Sequence, residues 1–160
     1  MRALIQRTSS ASVSVDSVIT GQIGRGFLVF LGIGKSDTED DMTYLVDKVI
    51  NLRVFSDEQG KFDRSVQDVG GEILLVSQFT LYADTRKGRR PGFSDAMPVH
   101  EAKELFIKVT EYFRNSGVNI ETGVFQADMS VSLVNAVSYT HLRAHETLRY
   151  LVWRLLLEKK

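Results

Sequence analysis

The stretch Glu72-Ile73-Leu74-Leu75-Val76-Ser77-Gln78-Phe79-Thr80-Leu81-Tyr82-Ala83 organises the reading of this chain. Its content of Ile, Val, Phe and Tyr predicts one long strand over 72–83. Alternation puts Leu74, Val76, Gln78, Thr80 and Tyr82 on one face, and Leu75, Ser77, Phe79 and Leu81 on the other. The polar side chains Ser77, Gln78 and Thr80 interrupt an apolar strand, so each needs a partner if buried. Either they bond neighbouring backbone, or the strand ends at a pocket where hydroxyl and amide groups meet a ligand.

A helix is predicted on each side of this strand. Upstream, Ser36-Asp37-Thr38 supplies capping side chains and Glu39-Asp40-Asp41 suits the positive end of a helix dipole. Met42, Leu45, Val46 and Val49 follow at helical spacing, giving a helix over 38–51. Downstream, a basic loop from Asp84 to Gly92 leads to a second helix. Ser94 or Asp95 is its expected cap, with Pro98 in the first turn. Ala102, Leu105, Phe106, Val109 and Phe113 form its apolar stripe, and Gly117 is its stop.

The remaining segments read as strands and turns. Residues 2–8 and 11–15 are predicted strands, Asp16-Ser17 is a turn, and Val18-Ile19-Thr20 begins a return. Gly24-Arg25-Gly26 is a second turn before the apolar run Phe27 to Ile33, which suits a strand buried on both faces. These segments predict a four-stranded meander. A short strand at 52–55 precedes a polar loop over 56–70, with a turn at Asp57-Glu58-Gln59-Gly60. Strands are expected near 118–122 and 128–135. The fold class is therefore α+β, with mostly antiparallel β-sheets and two main helices. Leu148, Leu151, Val152 and Leu155, interleaved with Arg143, Arg149 and Arg154, add a predicted basic tail helix.

With 160 residues, 43% of them hydrophobic and 25% charged, the chain reads as one globular domain plus a tail. Cysteine is absent, which excludes disulfides, thiolate metal sites and cysteine nucleophiles. The first residues lack the pattern of a signal peptide and no apolar run is long enough to span a bilayer, so the expected address is cytoplasmic, with no membrane. The net charge of zero conceals an asymmetry. Residues 1–135 carry 15 Lys/Arg against 18 Asp/Glu, a net −3, and residues 136–160 carry 5 against 2, a net +3. Any contact with nucleic acid therefore rests on a local basic patch.

Several motifs fail on inspection. Gly32-Ile33-Gly34-Lys35-Ser36 resembles the end of a phosphate-binding loop, but Val29 stands where that loop needs its first glycine. A strand-to-helix turn explains it better. His141 and His145 lack the glutamate of a zinc-protease helix. No Gly-x-Ser-x-Gly is present, and His100 falls in an exposed helix turn.

The hexapeptide Ser77-Gln78-Phe79-Thr80-Leu81-Tyr82, followed by Ala83-Asp84-Thr85-Arg86-Lys87-Gly88-Arg89-Arg90-Pro91, resembles the signature of the D-aminoacyl-tRNA deacylases. The opening Met1-Arg2-Ala3-Leu4-Ile5-Gln6-Arg7 and the blocks Gly32-Ile33-Gly34, Leu52-Arg53-Val54-Phe55 and Phe125-Gln126-Ala127-Asp128-Met129 fit the same family. The resemblance covers residues 1–135. It implies a hydrolase that cleaves the ester between a D-amino acid and the terminal ribose of tRNA, and that also clears mischarged glycyl-tRNA. It implies a cytoplasmic homodimer acting on aminoacyl-tRNA, with no metal and no other cofactor. Carried over by position, Ser77, Gln78, Phe79 and Thr80 form the catalytic segment, with backbone N–H groups near Gln78 and Phe79 receiving the oxyanion. Thr80 is the nucleophile by side-chain type, but no base adjoins it. A water assisted by the 2′-hydroxyl of the terminal adenosine fits better. Phe125 and Met129 match substrate-binding positions. Arg86, Lys87, Arg89 and Arg90 are placed to meet acceptor-stem phosphates, unless they simply form a solvated loop.

The sequence departs from the family at Asn135. The family continues Asn-x-Gly-Pro-Val-Thr, a Gly–cis-Pro turn that excludes L-amino acids, whereas this chain reads Asn135-Ala136-Val137-Ser138-Tyr139-Thr140. The expected organisation is a deacylase domain over 1–135 without that motif. Residues 136–160 form a tail foreign to the family, of the kind a frameshift or fusion leaves. The departure keeps a second reading open, a catalytically impaired homologue that binds tRNA or a partner.

Overall fold

The structure, a computed structural model, describes residues 1–86 and 88–136 and the backbone of residues 155–158. One long strand, β1 (Arg2–Val15), organises the sheet. It pairs antiparallel with β2 (Val18–Ile23) through residues 11–15 and with β3 (Gly26–Gly32) through residues 2–8. Asp16 and Ser17 form the hairpin between β1 and β2, both with positive φ (49° and 67°), as a two-residue turn matched to strand twist requires.

The expected four-strand meander is thus three strands. The break foreseen at residues 9–10 does not occur, because β1 stays paired along its length. Gly24-Arg25-Gly26 is not a reversal either, since β2 and β3 run consecutively along the same strand. Gly26 serves close approach instead. A Cβ there would lie 1.8 Å from the Glu72 carbonyl oxygen, so only glycine lets the neighbouring strand draw this near.

The second half of the sheet is parallel. The strand β6 (Glu72–Ser77) pairs with β3 from Gly26↔Glu72 to Leu31↔Ser77. The strand β7 (Asn119–Thr122) pairs with β6 from Glu72↔Asn119 to Leu75↔Thr122. Each parallel step needs a crossover, supplied by α1 (Glu39–Ile50) and α2 (Val99–Asn115). The strand order is β2-β1-β3-β6-β7, and β8 (Ser130–Asn135) and β9 (Leu155–Glu158) also pair with β1. A small pair, β4 (Phe55–Ser56) and β5 (Phe62–Arg64), occupies part of the expected 52–55 strand and 56–70 loop. The α+β class with a mostly antiparallel sheet and two helices follows the expectation. The tail does not, in the part described: Leu155 begins a strand, and the rest of the predicted tail helix lies outside the described residues.

The two helices cover one face of the sheet. Met42, Leu45, Val46 and Val49 of α1 and Leu105, Phe106, Val109 and Phe113 of α2 bury against Ile5, Phe27, Val29, Leu31, Ile73 and Leu75. On the opposite face Leu28, Leu74 and Val76 pack with Ala11, Val13 and Ile23. The strand β3 is thus buried on both faces, as its continuous apolar run requires. Thr38 closes a reciprocal capping box with Asp41 at the start of α1. The cap of α2 is Pro98, without a side-chain hydrogen bond. Ser94 and Asp95 do not cap it. They lie earlier, where the Asp95 carbonyl accepts from Lys35 N–H and ties this loop to the end of β3.

Candidate active site

The long strand expected over 72–83 ends at Ser77. Gln78 departs from strand geometry (φ −146°, ψ 83°), and Phe79–Tyr82 form a 3-10 turn. The reason lies in the neighbouring strand. Pairing with β7 stops at Leu75↔Thr122, Gly123 N–H reaches back to the Leu75 carbonyl, and the chain then leaves the sheet. Beyond that point β6 has, among the described residues, a strand partner on one side only. Gln78 N–H still donates to Leu31 O at 2.7 Å, and the turn is then closed by Leu81 N–H to Gln78 O and Ala83 N–H to Thr80 O. The face alternation expected for Gln78, Thr80 and Tyr82 therefore does not hold beyond Val76.

The divergence of the two parallel strands opens a cleft of about 690 Å³ at their carboxyl ends, the place where such sheets commonly take ligands. Ser77, Gln78 and Phe79 form one wall. The segment Phe125 to Met129 forms another, and Met97, Val99 and Ala102 at the start of α2 contribute a third. Phe79 is 58% exposed and stacks edge-on against Phe93, with ring centroids 4.9 Å apart. Phe125 leans on the core through Phe106 at 5.6 Å. Gln126 has a left-handed backbone (φ 67°), which is costly for a residue with a side chain and bends 125–129 along the cleft.

Five of the residues singled out from sequence, Ser77, Gln78, Phe79, Phe125 and Met129, line this one cleft. Thr80 does not. It is exposed, and its Oγ1 accepts a hydrogen bond from the Gln78 side-chain amide. An amide donor is not a base, so this contact does not activate the hydroxyl. The Gln78 N–H is taken by the sheet. The N–H groups of Phe79 and Thr80 open the 3-10 turn, where no intrahelical carbonyl lies behind them.

The basic loop is a separate feature. Asp84 and Gly92 exchange backbone hydrogen bonds at 2.7 and 2.8 Å and pinch its base. Arg86, itself exposed, grips Asp84 with two bonds of 2.9 and 2.8 Å. This grip, with a further bond from the Arg86 N–H, holds the Asp84 carboxyl down at about 2. Arg89 and Arg90 are exposed on the loop, and Lys87 lies outside the described residues. Sequence reasoning missed Phe93, Met97 and Val99. They sit in or beside irregular chain, and no periodicity marks their approach to β6.

Comparison with known proteins bears on this geometry. The family model described as D-Tyr-tRNA(Tyr) deacylase matches residues 4–143. A D-aminoacyl-tRNA deacylase of Desulfitobacterium hafniense is 55% identical over 135 residues, which cover 84% of this chain and 91% of that protein. One of Thermotoga petrophila is 52% identical over the same shares. A solved structure of a c-Myc DNA unwinding element binding protein superposes with a TM-score of 0.85 at 37% identity, covering 100% of this chain and 99% of that one.

Proposed function

Because the chain belongs to the D-Tyr-tRNA(Tyr) deacylase family, we propose that it hydrolyses the ester joining a D-amino acid to the terminal ribose of tRNA. The products are a D-amino acid and free tRNA, and glycyl-tRNA formed by mischarging is a further substrate. The observation that carries this reading is a single cleft lined by Ser77, Gln78, Phe79, Phe125 and Met129. Its volume suits a small aminoacylated nucleoside. Phe79, Phe93, Phe125 and Met129 offer apolar surface for a base and a side chain, and Ser77 and Gln78 supply the few polar groups that fix orientation.

The chemistry follows from what the turn offers. As water adds to the ester carbonyl, negative charge develops on its oxygen, and the N–H groups of Phe79 and Thr80 are the donors for it. Thr80 Oγ1 is not the nucleophile in this scheme. The 2′-hydroxyl of the terminal adenosine assists the attacking water, and the protein contributes position. The acceptor stem lies against the 84–92 loop, with Arg89 and Arg90 toward phosphate and Arg86 bracing the loop through Asp84; Lys87, by its charge alone, is a further candidate for phosphate. The enzyme works as a cytoplasmic homodimer. Leu133 and Val134, exposed on β8, support self-association.

Release of tyrosine from D-tyrosyl-tRNA and from L-tyrosyl-tRNA tests the proposal. The expected result is turnover of the D-ester well above the uncatalysed rate. The D-to-L ratio reports how the missing Gly-Pro motif affects selectivity. Binding of tRNA without release from the D-ester would instead favour the non-catalytic homologue.

A further inference from the structure

The 3-10 turn has a rear anchor that the chemistry above does not use. The Tyr82 hydroxyl donates to Asp37 Oδ2 at 3.1 Å. The Asp37 side chain is only 9% exposed, and it also accepts from Gly34 N–H at 2.6 Å and from the Met1 ammonium. Arg2 grips the same turn from β1. Its Nη1 donates to the Leu81 carbonyl at 2.9 Å and its guanidinium lies 4.5 Å from the centre of the Tyr82 ring. Gly34 makes room for the ring, since a Cβ there would fall 2.7 Å from it. The phenol–carboxylate bond is charge-assisted and nearly buried, although at 3.1 Å it is longer than the strongest bonds of its kind. Without it the turn keeps the Arg2 clamp and its own short-range backbone bonds, at the end of a strand whose pairing with β7 has stopped.

We infer that Tyr82 and Asp37 are positioning residues: their hydrogen bond, with Arg2 clamped on Leu81, fixes the turn that presents the Phe79 and Thr80 N–H groups to the cleft. The inference rests on the deacylase reading for its kinetic consequence, but the anchor itself can be read without turnover.

The test is Tyr82→Phe, which removes the hydroxyl and keeps the ring. Hydrogen exchange is followed at Leu81 and Ala83, whose N–H groups close the turn, together with hydrolysis of D-tyrosyl-tRNA. Exchange at these two amides should rise about tenfold, the equivalent of one charged hydrogen bond, while exchange at Leu75 and Val76 stays constant. The kcat should fall several-fold with KM held within roughly twofold, because ester contacts made only in the transition state are lost. Tyr44→Phe, at an exposed tyrosine of α1, should change neither. Unaltered exchange at Leu81 and Ala83 would overturn the anchor. Faster exchange there with unchanged kcat would overturn the positioning role, and an even acceleration across β6 would mean general loosening instead. If the unsubstituted chain released no tyrosine, the deacylase reading would fail, and the exchange rates would still decide the anchor.

Discussion

Replacing Gly34 by alanine should disturb the turn from behind without touching the cleft. Gly34 does not have a positive φ, so alanine meets no backbone penalty there and the effect is steric. The new methyl would sit 2.7 Å from Cε1, Cζ and Oη of Tyr82, whereas carbon atoms in contact stay about 3.5–4.0 Å apart. The overlap is therefore on the order of 1 Å. The ring is held by Asp37 at 3.1 Å and by Arg2 at 4.5 Å, so moving it weakens both contacts. Overpacking of this kind costs about 1–3 kcal/mol. In a chain of this size that lowers Tm by roughly 3–10 °C. The assay is a thermal melt of Gly34→Ala, Tyr82→Ala and the double variant. With the ring removed the three closest atoms are gone, so the methyl's cost in the Tyr82→Ala background should fall well below its cost in the original chain. An equal cost in both backgrounds would refute the reasoning, because it would place the strain somewhere other than the Tyr82 ring.

Three further outcomes are expected. Thr80→Ala should keep D-ester turnover within about tenfold of the original, since loss of a true nucleophile typically costs on the order of 10⁴-fold or more; a loss of that size with tRNA affinity intact would restore Thr80 as the nucleophile. Neutralising Arg89 and Arg90 together should weaken tRNA binding and flatten its dependence on salt by roughly one to two units of slope, and a slope unchanged across several salt concentrations would remove the loop from the interface. The Asp84 carboxyl, held at about 2 by Arg86, has its folded value below the unfolded one, so its stabilising contact is complete above the unfolded carboxylate range near 4 and is lost as pH falls through about 2. A carbon-detected titration of Asp84 with a midpoint near 4 would show that the Arg86 grip does not persist in solution.

Much of the architecture is legible in residue order because it depends on local spacing. The stripes Met42-Leu45-Val46-Val49 and Leu105-Phe106-Val109-Phe113 each face one side of a helix and bury there, and the apolar run Phe27 to Leu31 has no polar face to show. The misreadings share a cause. Thr8-Ser9-Ser10 looks like a break, yet β1 continues through it because β3 and β8 supply partners around it. Val76 to Tyr82 looks like a strand, yet it turns because β7 withdraws its partner at Thr122. Strand propensity describes a fit to a pleated, half-buried surface, so it cannot report where that surface ends.

The sequence by itself determined the family, through the ordered match that begins in the first residues and peaks at Ser77 to Tyr82, and it determined the α+β class through the two helical stripes and the strands around them. Only the tertiary structure decided what the hexapeptide is. Its first residue, Ser77, ends a parallel strand, and Phe79–Tyr82 form a 3-10 turn, with Gln78 N–H spent on Leu31 and Thr80 outside the cleft lining. The contact of Phe79 with Phe93, and the sharing of one cleft by Ser77, Phe125 and Met129, are also tertiary matters. These residues are brought together by the crossover through α2 and by the point at which two parallel strands part, and neither distance is encoded in spacing along the chain.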